Sequence, residues 1–219
     1  MGFKHACFVS YRHSDKEKTI KFIEQLVDAL DNCFDQYVPL TTYHDKLRLL
    51  PGYKFKEAIE QALRDSVCLV AILSNEYFES EYCRREYSAM KRIEDERRNQ
   101  LGLPPIDRGL IIPILVWTSE EDVPDAIKDE IHFDPMQFSL TNLRGEIKYD
   151  PNLIPVVQRI ADIIIDLYRA FHKGGCCQNA VDCCQAIGLP SANEVKAMWS
   201  PPQWNPQPLP SRVDTGAPR

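Results

Sequence analysis

The stretch VCLVAILS, Val67 to Ser74, carries no charge and does not alternate between apolar and polar residues. A strand with one wet face would alternate, so this run is expected to be buried on both faces, as in a parallel sheet covered by helices. It is the expected central strand of the chain.

Working outward, HACFVSY (residues 5–11) reads as the first strand, and Ile20, Ile23, Val27 and Leu30 follow it at helical spacing. YVPLTTYHD (37–45) is a second, less apolar strand, and it leads into the loop KLRLLPGY (46–53), where Pro51 and Gly52 mark a turn. Phe55, Ile59, Ala62 and Leu63 then share one face of a helix. Beyond the central strand come a long polar helix over about residues 80–98, a fourth strand GLIIPILVW (109–117), a short helix VPDAIKDEI (123–131) and a weak fifth strand MQFSL (136–140). Pro113 inside the fourth strand costs a ladder hydrogen bond and predicts a bulge or an edge. A last helix has Pro155 in its first turn and Ile160, Ile164, Leu167 and Phe171 on one face. Strands alternating with helices in this way predict an α/β fold, a flavodoxin-like doubly wound five-stranded parallel sheet in the order 2-1-3-4-5.

The expected domain spans residues 1–172. Residues 173–219 form a C-terminal tail, Cys-rich and then Pro-rich, with seven prolines from Pro190 onward. The stretch from Pro190 is expected to be extended, and the tail as a whole to add little to stability.

At 219 residues and 44% hydrophobic content the chain can bury a full core, and its net charge of -6 argues against a nucleic-acid ligand. No run is long and apolar enough to span a bilayer, and MGFKHACF lacks the apolar stretch of a secretion signal, so a cytoplasmic protein is expected. Gly2 is a myristoylation position, but Ala6 replaces the Ser or Thr of that motif. Of the eight cysteines, Cys7, Cys33, Cys68 and Cys83 sit singly in apolar segments and are expected to be reduced packing residues. Cys176, Cys177, Cys183 and Cys184 form CCQNAVDCC, which lacks the CxxC spacing of zinc sites, so no metal site is assigned.

Ligands of doubly wound sheets bind where strands one and three part, at their carboxyl ends. The glycine patterns that cradle phosphates in dinucleotide and P-loop sites are absent, as are GxSxG and HExxH. Tyr11, Arg12, His13 and Ser14 follow strand one, Asp45 ends strand two, and Ser74 and Asn75 end strand three. With Ser80 as N-cap of the long helix, Tyr82 and Glu86 lie at i and i+4 on one face.

These segments resemble the Toll/interleukin-1 receptor (TIR) domain family over about residues 3–172. FVSYRHSD (8–15) is similar to its opening box, DKLRLLPGYKFKEAIEQALRDS (45–66) to the box holding the BB loop, and CLVAILSNEYFESEYCRREY (68–87) to the pattern S-x-x-Y-x-x-S-x-W-C-x-x-E. Tyr82 stands where the family usually has Trp. The resemblance implies one of two functions. The first is cleavage of NAD+ at the nicotinamide-ribose bond, by a glycohydrolase or cyclase acting as a bacterial anti-phage immune effector or signal generator, with Glu86 as the catalytic carboxylate. The second is a non-catalytic TIR scaffold. On the enzyme reading NAD+ is a substrate and no cofactor is needed. Arg12 then faces the pyrophosphate, Tyr11, Tyr53 or Phe55 stacks on a base, and Asp45, Ser74 and Tyr82 complete the substrate contacts. The BB loop residues Leu47, Leu49, Leu50, Pro51 and Gly52 are the implied contacts to other TIR protomers, with a regulatory protein as a further partner.

Without the resemblance, plainer readings compete. A glutamate in a helix continuing KRIEDERR is usually a solvated charge, Arg12 and Asp45 make a loop ion pair as readily as a ligand site, and Cys83 is helix-to-sheet packing. His13 has no sequence partner that would make it a base.

Overall fold

In the computed structural model the run quoted first is strand β3 (Ser66–Leu73), and all eight of its residues are buried. The structure describes residues 2–13, 17–45, 55–101, 109–116, 118, 120–128, 151, 153–173, 181–182 and 184–199. β3 lies between β1 (His5–Tyr11) and β4 (Ile111–Leu115), and β1 pairs on its other side with β2 (Thr41–His44), giving the order β2-β1-β3-β4. All pairings are parallel. The expected fifth strand, 136–140, lies outside the described residues.

Pro113 pairs opposite Ala71 with no register shift along β4, so no bulge forms there. β4 is instead the edge among the described strands, where a missing N–H leaves no neighbour unpaired.

The first two helices are α1 (Glu17–Phe34) and α2 (Phe55–Asp65). After β3 the chain makes a short helix α3 (Asn75–Glu79), to which the sequence reading assigns no element, and then α4 (Glu81–Leu101), where the long polar helix is expected. The described elements continue with a 3-10 turn (Glu120–Asp122), α5 (Asp125–Lys128), α6 (Ile154–Lys173) and α7 (Ala192–Met198). α1 packs on α6 and α2 on α4, and these pairs also contact the sheet, as the full burial of β3 requires. Phe22, Ile23, Leu26, Val27, Leu30 and Phe34 form the buried stripe of α1. Ile20, expected on that stripe, stands in the first turn at its end and remains 46% exposed.

A buried cation joins α4 to the sheet. Arg97 is fully buried, and its guanidinium donates to the carbonyls of Arg64, Ser66 and Val67 at 2.9–3.1 Å. Those carbonyls mark the end of α2 and the entry to β3, where a helix leaves acceptors without intrahelical donors. The guanidinium also lies 4.9 Å from the Phe3 ring centroid and 5.7 Å from that of Phe171.

The expectation that the chain past Lys173 is loosely attached does not hold for residues 184–199. Arg64 donates to Ile187 O at 2.7 Å, Leu189 N to Glu60 at 2.9 Å, and Arg85 Nε to Pro190 O at 2.6 Å. Helix α7 then forms within the stretch expected to be extended. Its N-cap Ser191 and Glu194 make a reciprocal capping box, which supplies the donors and acceptors that a seven-residue helix cannot supply itself. Leu189, Val195 and Trp199 are buried, and Trp199 meets Tyr87 edge-to-face at 5.2 Å. Proline content rules out long regular structure, but it does not prevent a short capped helix from docking on an existing core.

Four cysteines expected as packing residues are free thiols, three of them buried and Cys33 half-buried. Burial pushes the Cys7 thiol up to about 12. Cys184 is also a buried free thiol, while Cys176, Cys177 and Cys183 lie outside the described residues. Among the described residues no acidic, His or Cys cluster has the makings of a metal site, and no helix is long and apolar enough to cross a membrane.

Candidate active site

Three elements meet at the carboxyl end of β1. Ser10 is the penultimate residue of that strand, held in register opposite Ala71 of β3. Tyr77 comes from α3, whose N-cap Ser74 accepts from the Tyr77 backbone N–H at 3.2 Å. Glu86 comes from the second turn of α4, whose start is set by Ser80, the expected cap, accepting from Cys83 N at 3.4 Å.

Their side chains touch. Ser10 Oγ donates to Glu86 Oε2 at 2.7 Å and lies 3.0 Å from the Tyr77 hydroxyl, which also donates to Cys83 O at 3.3 Å. Ser10, Tyr77 and Glu86 are 1%, 0% and 5% exposed. Glu86 is therefore not a solvated surface charge, although the helix around it is highly charged. Burial pushes the Tyr77 phenol well above its ordinary value, and nearby Cys83, Glu86 and Tyr87 add to the rise against a smaller opposing effect from the Ser10 hydrogen bond. Tyr77 stays protonated and remains a hydrogen-bond donor.

Around this centre the other sequence candidates are distributed unevenly. The Tyr11 hydroxyl donates to Asp45 O at 3.3 Å and its ring stacks on His13 with centroids 4.6 Å apart, so the ends of β1 and β2 are joined. Asp45 is buried and Arg12 exposed. Ser74 is a helix cap at the end of β3. Phe55, the first residue of α2, meets Tyr82 edge-on at 5.7 Å, and Arg85 covers the Tyr82 ring at 5.4 Å. Tyr82 is 39% exposed, so this aromatic pair reaches the surface. Leu47, Leu49, Leu50, Pro51, Gly52 and Tyr53 lie outside the described residues.

Sequence reasoning missed Tyr77 and left Ser10 without a role. The signal for Tyr77 was the spacing Ser74-x-x-Tyr77-x-x-Ser80, two caps with an aromatic midway, which places the ring under the start of the second helix.

A buried carboxylate with a fixed donor, at the end of a central parallel strand, can stabilise positive charge developing on a ligand bound beside it. A family model for the TIR domain matches residues 7–139. A Brachypodium distachyon protein described as a probable 2' cyclic ADP-D-ribose synthase, BdTIR, is 30% identical over 128 residues. The match takes in 58% of this chain and 48% of that protein, so the chain spans about half the length of this relative. Among solved structures, the TIR domains of the activated Roq1 resistosome recognising the effector XopQ align over 86% of this chain and 93% of theirs. Their TM-score is 0.36 at 15% identity.

Proposed function

Because this chain belongs to the TIR domain family, we propose that it cleaves the nicotinamide-ribose bond of NAD+, releasing a linear or cyclised ADP-ribose, with Glu86 as the catalytic carboxylate. The observation that carries this reading is the burial of Glu86 at the carboxyl end of β1, with Ser10 donating to it at 2.7 Å. The relative named as a cyclic ADP-ribose synthase supports the same chemistry. Nicotinamide leaves as a neutral molecule, so no acid is needed to protonate it, unlike the sugar leaving groups of glycosidases that require two carboxyls. What remains is stabilisation of the positive charge growing at the anomeric carbon, and one anion in a water-poor crevice supplies it. Arg12, exposed just after β1, is the proposed contact to the pyrophosphate, and Tyr11, Tyr53 and Phe55 are the candidates to stack on the bases. The chemistry calls for no Lewis acid, so turnover should survive EDTA. Loss of turnover on chelation, restored by a divalent ion, would put a metal in the reaction.

The test is nicotinamide release from NAD+ by the purified chain, with product analysis to separate hydrolysis from cyclisation. Glu86→Ala should abolish release while the fold persists. Release by a folded Glu86→Ala protein would remove Glu86 from the chemistry.

The same reading includes assembly and an immune signalling role. An apolar loop with Leu47, Leu49 and Leu50 is suited to contact a neighbouring protomer, and closing the crevice would exclude the water that screens its electrostatics. Head-to-tail contacts of this kind need not close into rings. Specific activity should rise with protein concentration and lose that rise in Leu50→Glu. A flat profile shared by both proteins would mean that each chain completes its own site. The scaffold reading draws on the surface pair Tyr82 and Phe55. Self-association without nicotinamide release would select it.

A further inference from the structure

We propose that Ser10 and Tyr77 are positioning residues, two hydroxyls in series that run from Tyr77 to Ser10 to Glu86 and hold the carboxylate in one orientation. For its kinetic consequence this rests on the NAD+ reading above, but the relay itself rests on geometry.

The direction of the relay follows from counting protons. Ser10 has one hydroxyl proton, and it points to Glu86 Oε2 at 2.7 Å. Its oxygen can then only accept from the Tyr77 hydroxyl 3.0 Å away. The other neighbour of that hydroxyl is a carbonyl, Cys83 O, which can only accept, so the single Tyr77 proton is shared between Ser10 Oγ at 3.0 Å and Cys83 O at 3.3 Å in a three-centre arrangement. Because Tyr77 is fully buried and remains protonated, the direction does not reverse in neutral solution.

Both hydroxyls are carried by rigid parts. Ser10 lies in a strand paired on both sides, and Tyr77 lies in a capped helix with its ring against Phe78. Tyr77 also reaches α4 twice, directly at Cys83 O and through Ser10 at Glu86, two positions about one turn apart. β1, α3 and α4 are thereby fixed relative to one another at the point where the carboxylate sits. A glutamate on a helix has three side-chain torsions to immobilise, and a carboxylate displaced by about 1 Å can lose on the order of 100-fold in rate.

Tyr77→Phe keeps the ring and removes the relay's first proton, and Ser10→Ala removes its middle. If the relay positions Glu86, kcat should fall about 10-fold in Tyr77→Phe and about 100-fold in Ser10→Ala, with KM within about two-fold of the parent. Ser10→Thr, which restores the hydroxyl, should recover most of the loss. Unchanged kcat in Tyr77→Phe, or an effect confined to KM, would overturn the proposal. A second readout needs no turnover. The buried Tyr77 hydroxyl proton should be visible by NMR in slow exchange, absent in Tyr77→Phe and shifted in both Ser10→Ala and Glu86→Gln. A parent that releases no nicotinamide but shows these linked shifts would sink the NAD+ reading and leave the relay standing. A Tyr77 hydroxyl signal indifferent to both substitutions would sink the relay whatever the activity.

Discussion

Trp199 and Tyr87 are 112 positions apart in numbering, yet their rings meet at 87° with centroids 5.2 Å apart, and the Trp199 indole N–H reaches Ser88 Oγ at 3.4 Å. The C-terminal segment is thus packed on the same helix that carries Glu86, one and two residues beyond it.

Removing that contact should be costly. Trp199 is 4% exposed, and truncating a buried tryptophan to alanine typically costs about 3–5 kcal/mol. For a chain of this size that corresponds to a drop in Tm of about 10 °C. A truncation ending at Lys173 should lose at least as much, since it also removes the bonds that Arg64, Glu60 and Arg85 make to Ile187, Leu189 and Pro190. A Tm within about 2 °C of the parent in either protein would show that the segment does not dock in solution.

This segment also shows what the sequence conceals. The signature Ser191-x-x-Glu194 was readable as a capping box, but the surrounding prolines outweighed it because composition was averaged over the whole tail. The sheet was easier to read. β3 has no polar alternation, so its burial on both faces is written into eight consecutive residues, and the parallel pairing of the four described strands follows from alternation with helices. Glu86 was legible only through the resemblance, because periodicity places it in a charged helix. It is buried in contact with Ser10, and a contact spanning 76 positions leaves no local pattern.

Arg97 offers a separate test of the core. Its planar group serves three carbonyls while lying over the rings of Phe3 and Phe171, a geometry that a lysine ammonium cannot reproduce. Arg97→Lys should therefore destabilise by roughly 2–4 kcal/mol, since buried carbonyls lose donors while a charge remains buried. Chemical denaturation would measure it. A shift below about 0.5 kcal/mol would mean that the carbonyls are satisfied in some other way.

The buried thiols should be inert in the native protein. Cys7, Cys68 and Cys83 are fully shielded, and burial holds Cys7 near 12 and Cys68 well above its ordinary value, so the reactive thiolate is scarce. Alkylation with mass-spectrometric mapping should label Cys33 before these three, and denaturant should release all of them. Rapid labelling of Cys68 in the folded chain would contradict the sheet packing.

The capping box should leave a signature in acid. Glu194 is held down to about 2, first by the Ser191 hydroxyl, then by the Ser191 backbone N–H, then by Arg92. A carboxyl whose folded value lies below its unfolded value of 4.5 contributes stability that is complete above about pH 4.5 and lost as pH falls toward 2. Glu194→Gln cannot titrate, so the Tm advantage of the parent should shrink between about pH 5 and the lowest pH at which both proteins remain folded. An advantage that stays constant across that range would show that the charge of Glu194 does not matter to the box.

Glu86→Gln separates chemistry from structure at the site itself. An amide oxygen accepts from Ser10 as a carboxylate oxygen does, so the 2.7 Å bond can survive the change, and the side-chain volume is nearly the same. Stability should stay within about 1 kcal/mol, because removing a buried charge offsets what a weaker hydrogen bond loses. Catalysis should not survive, since a neutral amide cannot stabilise a cation at the anomeric carbon, and losses of about 100-fold or more are typical when such a group is removed. Nicotinamide release and Tm measured on one preparation therefore give opposite answers if Glu86 acts by its charge. A variant that keeps parental turnover would mean that Glu86 contributes only its shape and hydrogen bond, while one that unfolds would mean that the buried charge is part of the fold.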